Sequence, residues 1–157
     1  MHLATDEVTL RAKIVTRIQT VTNAGNVYDN HRFTDDWSQY KSLFGYTLGA
    51  DVILRTWFVS CEAVLPEGFV SAGTFGAGDQ VILRYKIRGY FGLDDSASSE
   101  ESALAIALLV QDALNDNAIF VGVAAYNATL AQLNPFTHAT WGGALCHYAE
   151  ITQDFYI

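Results

Sequence analysis

The stretch QVILRYKIRGYFGL, Gln80 to Leu93, decides the fold, because its two faces carry opposite chemistry. In an extended chain Val81, Leu83, Tyr85, Ile87, Phe91 and Leu93 point one way, and Arg84, Lys86 and Arg88 point the other. A period of two with one apolar and one charged face predicts an antiparallel strand whose register is strongly specified. The preceding stretch, VILRTWFVSCEAVL from Val52 to Leu65, reads as its partner. Ile53, Arg55, Trp57, Val59 and Cys61 share one face there, while Val52, Leu54, Thr56, Phe58 and Ser60 share the other. Both faces are mostly apolar, which predicts cover on both sides, at least in part. Between the two lies PEGFVSAGTFGAGD, whose four glycines suit a loop or a hairpin tip. The pair is therefore expected as a hairpin arm over about 52–93, with a glycine-rich tip at 66–79.

Helices are expected on either side of this arm. Leu10, Ile14, Ile18 and Val21 recur at helical spacing between about Asp6 and Thr22, and Gly25 follows as a break. Val27–Tyr28 suits a short strand. A second helix is expected after Thr34 as N-cap, with Asp35 and Asp36 favouring its positive end. Phe33, Trp37, Tyr40 and Phe44 fall on one of its faces, and core packing accounts for that aromatic stripe better than a ligand box does. A third helix is expected from about Ser99 to Asn115. Ala103, Ile106, Ala107, Val110, Ala113 and Leu114 form its apolar face, widened by Leu104, Leu108 and Leu109. So apolar a helix packs on a sheet, a second helix or a neighbouring subunit. Ala118 to Ala125 suits a strand, TLAQLNPFTHATWGGA reads mostly as connection, and LCHYAEITQDFYI closes the chain as a strand. The expected class is α+β: one domain over residues 1–157, with a mixed, mainly antiparallel sheet packed against about three helices.

Composition narrows the function classes. Half of the 157 residues are hydrophobic and only two are proline, which excludes a disordered chain. MHLATDEVTL lacks the basic and apolar regions of a signal peptide, and the run Ala103–Val110 is too short to span a bilayer. Two cysteines, Cys61 and Cys146, are too few for a disulfide framework or a zinc site, so buried thiols in a reducing cytosol are expected. Net charge is −8, and its placement is uneven. All nine Lys and Arg lie at or before Arg88 beside nine acids, whereas eight acids and no Lys or Arg follow. This points to an acidic surface and away from ordinary phosphate-backbone binding; the alternative is that scattered acids merely keep the chain in solution.

The densest acids, Asp94, Asp95, Glu100 and Glu101, sit in GLDDSASSEES. A catalytic metal needs carboxylates converging from several elements, but here they are sequence neighbours among small polar residues. Ser98 and Glu101 have capping-box spacing, Glu100 suits the helix dipole, and Asp94 and Asp95 suit a turn. The spacing also lacks the central glycine and terminal glutamate of a calcium loop. His2, His31, His138 and His147 are scattered, and Cys146 and His147 point to opposite faces of a strand. No GxSxG, GxxxxGK[ST] or GxGxxG occurs, so no enzyme, metal or cofactor is expected. Arg84, Lys86 and Arg88 suit a solvated face or an intersubunit ion-pair surface better than a nucleic-acid contact.

Three stretches carry a resemblance. They are the first helix leading into VTNAGNVYDNHRF, the strands around RTWFVSCEAV and YKIRGYFGLDDSASSEES running into an apolar helix, and the closing LCHYAEITQDF. Together they resemble tail terminators and tail-completion proteins from the neck region of long-tailed phages and prophage-like elements. The segment Asn127 to Gly143 matches no pattern of that family. The resemblance implies a virion protein, assembled in the host cytoplasm, that closes the tail tube as a homo-oligomeric ring, a hexamer. Its partners would be its own copies, the tube protein and a head-completion protein, with DNA passing through unbound and no membrane involved. Asp94, Asp95, Glu100 and Glu101 would face the lumen or an acidic surface, and Phe69, Phe75, Arg84, Lys86 and Arg88 would make intersubunit or hairpin contacts. Two further readings stand beside it: a head-side stopper or adaptor, and a small-ligand module built around Trp37, Trp57 and Trp141.

Overall fold

The computed structural model describes residues 3–32, 34, 37–66, 81–94, 98–116 and 126–157. Helix α1 (Leu3–Gln19) leads into strand β1 (Asn26–Tyr28), helix α2 (Trp37–Phe44) and the short strand β2 (Gly45–Leu48). Strands β3 (Asp51–Pro66) and β4 (Val81–Gly92) form the long hairpin, followed by helix α3 (Ser99–Asn115). Strands β5 (Tyr126–Asn127), β6 (Gln132–Leu133), β7 (Thr137–Trp141) and β8 (Ala144–Tyr156) complete the chain. The class is α+β, with a mixed and mostly antiparallel sheet in which only the β1–β3 pair is parallel among the described strands.

The long hairpin forms as its alternation predicts. Pairing runs from Arg55 opposite Phe91 to Pro66 opposite Val81, with a bulge at Glu62 between Cys61 and Ala63. Strand β8 lies antiparallel on the other edge of β4, from Ile82 opposite Tyr156 to Gly92 opposite Cys146. Leu83, Tyr85, Ile87 and Phe91 alternate with half-buried Arg84, Lys86, Arg88 and Tyr90. The apolar set joins Trp57, Val59, Ala149, Ile151 and Phe155 under α1 and α3 in the main core. Leu10, Ile14 and Ile18 come from α1, and Ala103, Ile106, Ala107, Val110 and Leu114 from α3, all buried. On the opposite face, Phe58 of β3 meets Tyr40 and Phe44 of α2 in a second, aromatic cluster. Both faces of β3 are thus covered over Arg55–Val59, where five consecutive residues are buried.

Several boundaries differ from expectation for physical reasons. Helix α1 ends at Gln19, where Thr20 and Val21 tighten into i→i+3 bonds to Arg17 O and Ile18 O. Helix α2 is described from Trp37, and the Thr34 hydroxyl donates to Gln39 Oε1 at 3.3 Å; Asp35 and Asp36, between Thr34 and that start, lie outside the described residues. The stretch read as connection contains β7, which pairs with β8 through the turn Gly142–Gly143. Both glycines have positive φ, 58° and 81°, which a two-residue hairpin turn of this hand requires. That GG signal was present in the sequence. The strand expected over 118–125 and the hairpin tip, with Phe69 and Phe75, lie outside the described residues.

Short strands protect most of the sheet's outer edges. Strands β7, β6 and β5 line the free edge of β8 in succession. On the far edge of β3, β2 covers Asp51–Leu54 and β1 covers Thr56–Phe58. Among the described residues no strand pairs with that edge from Val59 to Pro66.

Candidate functional site: an interaction surface

The acidic segment is a strand exit and a helix start, as expected, but its wiring is not a capping box. Ser98 occupies the N-cap with φ 49° and ψ 44°, and its side chain makes no cap bond. A left-handed cap turns the hydroxyl away from the amides it would serve, so Ser98 and Glu101 do not satisfy one another. Ser99 does the local work instead. Its Oγ accepts the Asp94 N–H at 2.8 Å and lies 2.8 Å from His147 Nε2, fastening the start of α3 to β8. Asp94, Glu100 and Glu101 are exposed; Asp95 lies outside the described residues. Among the described residues no group of three or more His, Cys, Asp or Glu converges as a metal site would need.

The cationic row of β4 is paired within the chain. Arg84 grips Asp154 through Nε and Nη2, both at 2.8 Å. Arg88 donates to Glu62 at 2.8 Å and Glu150 at 3.2 Å, and its Nη1 lies 2.8 Å from His31 Nε2. Lys86 stands 3.6 Å from Glu150, which also accepts from Tyr148 at 2.8 Å. Burial works to raise the Glu150 carboxyl, but the Tyr148 and Arg88 hydrogen bonds and the Lys86 charge outweigh it and hold the pKa below the ordinary value. Burial and the Arg88 charge push the His31 imidazole below its usual value. These cations therefore knit β3, β4 and β8 together on this face.

Both cysteines are free, and Cys146 is fully buried with Sγ donating to Ala139 O at 3.1 Å. Burial pushes its thiol up to about 11, opposite to what a nucleophile needs. The described tryptophan side chains do not share a ligand cavity. Trp57 is fully buried with Nε1 donating to Ala24 O at 3.0 Å, while Trp141 packs on Phe44 at 4.3 Å and Tyr90 at 4.8 Å.

An open groove of about 430 Å³ lies where the β2–β3 turn, the end of β4 and the start of α3 meet. Leu48, Ile53, Leu54, Phe91 and Leu93 give it apolar walls, Asp51 and Asp94 carry acids on it, and Arg55 completes the lining. Arg55 is only 7% exposed. Gly25, at φ 100°, makes that burial possible, since a Cβ there would sit 2.6 Å from Arg55 Cγ. Arg55 Nη1 donates to Asn23 O at 3.0 Å, and the guanidinium stands 5.9 Å from the centre of the Tyr46 ring. Its Nε is buried with no partner. Sequence reasoning placed Arg55 on an apolar strand face and drew nothing from it; a lone cation between Ile53 and Trp57 was the available signal.

Other apolar side chains are also exposed. Leu108 and Leu109 on α3, Val64 on β3, Leu130 and Leu145 all stand well out of the fold. No described helix is long and apolar enough to cross a membrane. No family model and no curated protein matches the chain. A solved structure that carries no functional name aligns over 99% of this chain and 95% of its own length, with a TM-score of 0.53 and 15% identity. At that identity the likeness shows that this fold recurs at nearly full length, and the fold alone.

Proposed function

We infer that the chain is a structural subunit of a homo-oligomeric ring that terminates a phage tail tube and joins it to the neck, leaving a channel for DNA. The family identity rests on the resemblance of the sequence segments. The observation that carries assembly is the edge of β3 from Val59 to Pro66, which no described strand pairs. An unpaired edge offers a row of backbone donors and acceptors to a neighbouring chain. Exposed Val64 at that edge and Leu108 and Leu109 on α3 supply apolar area for subunit contacts. Exposed Asp94, Glu100 and Glu101, with no Lys or Arg after Arg88, suit a wall that repels phosphate and lets DNA slide past.

In this reading Arg84, Lys86 and Arg88 stiffen the subunit, because each already faces a carboxylate of its own chain. Native mass spectrometry and negative-stain microscopy, with and without purified tube protein, test the proposal. The expected result is a hexameric ring, formed alone or on tube ends. A monomer that ignores tube ends would refute the terminator role. Binding to head-completion protein but not to tube ends would favour a head-side stopper or adaptor.

A further inference from the structure

Arg11, Arg17, Arg84 and Arg88 each hold a carboxylate of this chain: Glu7, Asp116, Asp154, and Glu62 with Glu150. Arg55, more deeply buried than these four, holds none. A guanidinium stays charged in a protein, so burying one with a single peptide carbonyl leaves most of its lost hydration unreplaced. The geometry shows which edge is left over. Nη1 is committed to Asn23 O, while Nε has no partner and Nη2 makes no hydrogen bond among the described residues. Nε and Nη2 form the side-on fork that matches the two oxygens of one carboxylate; Nε is closed to solvent in the free chain, so docking requires the Arg55 side chain to turn toward the groove.

The surroundings select the kind of anion. Leu48, Ile53, Leu54 and Phe91 offer an apolar wall beside Arg55. Asp51 and Asp94 in the same groove repel a dianion such as phosphate more than they repel a single carboxylate. The first turn of α3, entering at Ser99 and Ser102, adds its positive end to the same groove. We propose that this groove docks a segment of a partner protein in which an Asp or Glu lies beside aliphatic or aromatic side chains, the carboxylate closing on the Nε–Nη2 edge of Arg55. The proposal does not depend on the ring reading, because it concerns what the isolated subunit binds.

The test uses the full chain and two short probes, acetyl-Leu-Asp-Leu-amide and acetyl-Leu-Asn-Leu-amide, followed by nitrogen–proton NMR. The Asp peptide is expected to shift the Arg55 Nε–H resonance and the amides of Asn23, Leu93 and Ser102, and to bind about tenfold more tightly than the Asn peptide. Arg55→Lys keeps a cation and a donor for Asn23 O but loses the fork. It should remain folded by the same spectra and bind the Asp peptide about tenfold more weakly. Equal binding of the two peptides, no shift at Arg55, or inorganic phosphate displacing the Asp peptide at equal concentration would each overturn the proposal. So would self-association that depends on concentration and disappears in Arg55→Lys, since the occupant would then be a second copy. The wild-type Asp/Asn comparison decides the matter even if the variant fails to fold.

Discussion

The two faces of the central sheet reach burial by opposite routes. Under α1 and α3 the sheet presents Trp57, Val59, Leu83, Tyr85, Ile87, Ala149 and Ile151, all fully buried. On the other face α2 covers the end around Phe58, Tyr90 and Trp141, and among the described residues the rest is a lattice of Arg88, Glu62, Glu150, Lys86, Arg84 and Asp154. One face is held by excluded water and close packing, the other by charges that still touch water. The first is strong and insensitive to pH; the second is weaker and titrates. A face built in the second way keeps a specific strand register while leaving surface available, which suits a subunit that must meet other proteins.

The sharpest way to break this contrast is at Trp57. Trp57→Ala removes a fully buried ring and leaves the Ala24 carbonyl without its donor, and should cost about 3–5 kcal/mol in urea unfolding. A loss below about 1 kcal/mol would mean that the covered face is not the main source of stability. On the opposite face, Glu150→Gln should cost only about 1–2 kcal/mol at neutral pH, because water screens the half-buried network. The folded Glu150 carboxyl sits below its ordinary value, so its contribution is present above the unfolded value near pH ~4.3 and is lost as pH falls through the folded one. The gap between wild type and Glu150→Gln should therefore close in acid, and a gap constant from pH ~7 to ~3 would contradict the network. His31, also lowered, adds a shallower loss as pH falls below about 6.5, with the same sign.

A smaller effect tests how α3 is fastened over the covered face. Ser98 is left-handed and makes no side-chain cap bond, so Ser98→Gly should stabilise by about 0.5–1 kcal/mol in thermal unfolding. A capping box would predict a loss instead. The smallest effect belongs to the exposed apolar pair. Leu108→Glu with Leu109→Glu should change monomer stability by less than about 0.5 kcal/mol per site, since these side chains are 46% and 52% exposed. The same pair should weaken self-assembly in sedimentation velocity if α3 meets a neighbour. Unchanged assembly would remove α3 from the subunit contact.

Much of this architecture was legible where a periodic pattern coincided with a packed face. Gln80–Leu93 announced both its strand and its buried side, and Ser99–Asn115 its helix and buried face, because alternation and the 3.6-residue repeat survive folding unchanged. Ser98 was misread because a cap depends on the backbone angles of one residue, which composition does not set. The β7 hairpin hid in TLAQLNPFTHATWGGA because its apolar signal is weak; its pairing comes from β8 and the two-glycine turn. At the candidate site, Asp94, Glu100 and Glu101 were readable as surface acids, but the isolation of Arg55 was not. Whether a lone strand arginine meets a carboxylate depends on which of nine acids in the first 88 residues and eight after them folds beside it.

The sequence by itself determined the α+β class, the long hairpin, the apolar helix and the one-sided distribution of charge, since each follows from local periodicity and composition. Only the tertiary structure decided that the cations of β4 pair at home, that Ser99 rather than Ser98 anchors α3, and that Arg55 is buried without an acid. The physical reason is that charge pairing and hydrogen bonding are short-ranged: they depend on neighbours 26 to 70 residues apart in the chain, as at Arg88–Glu62 and Arg84–Asp154, which only the folded sheet brings together.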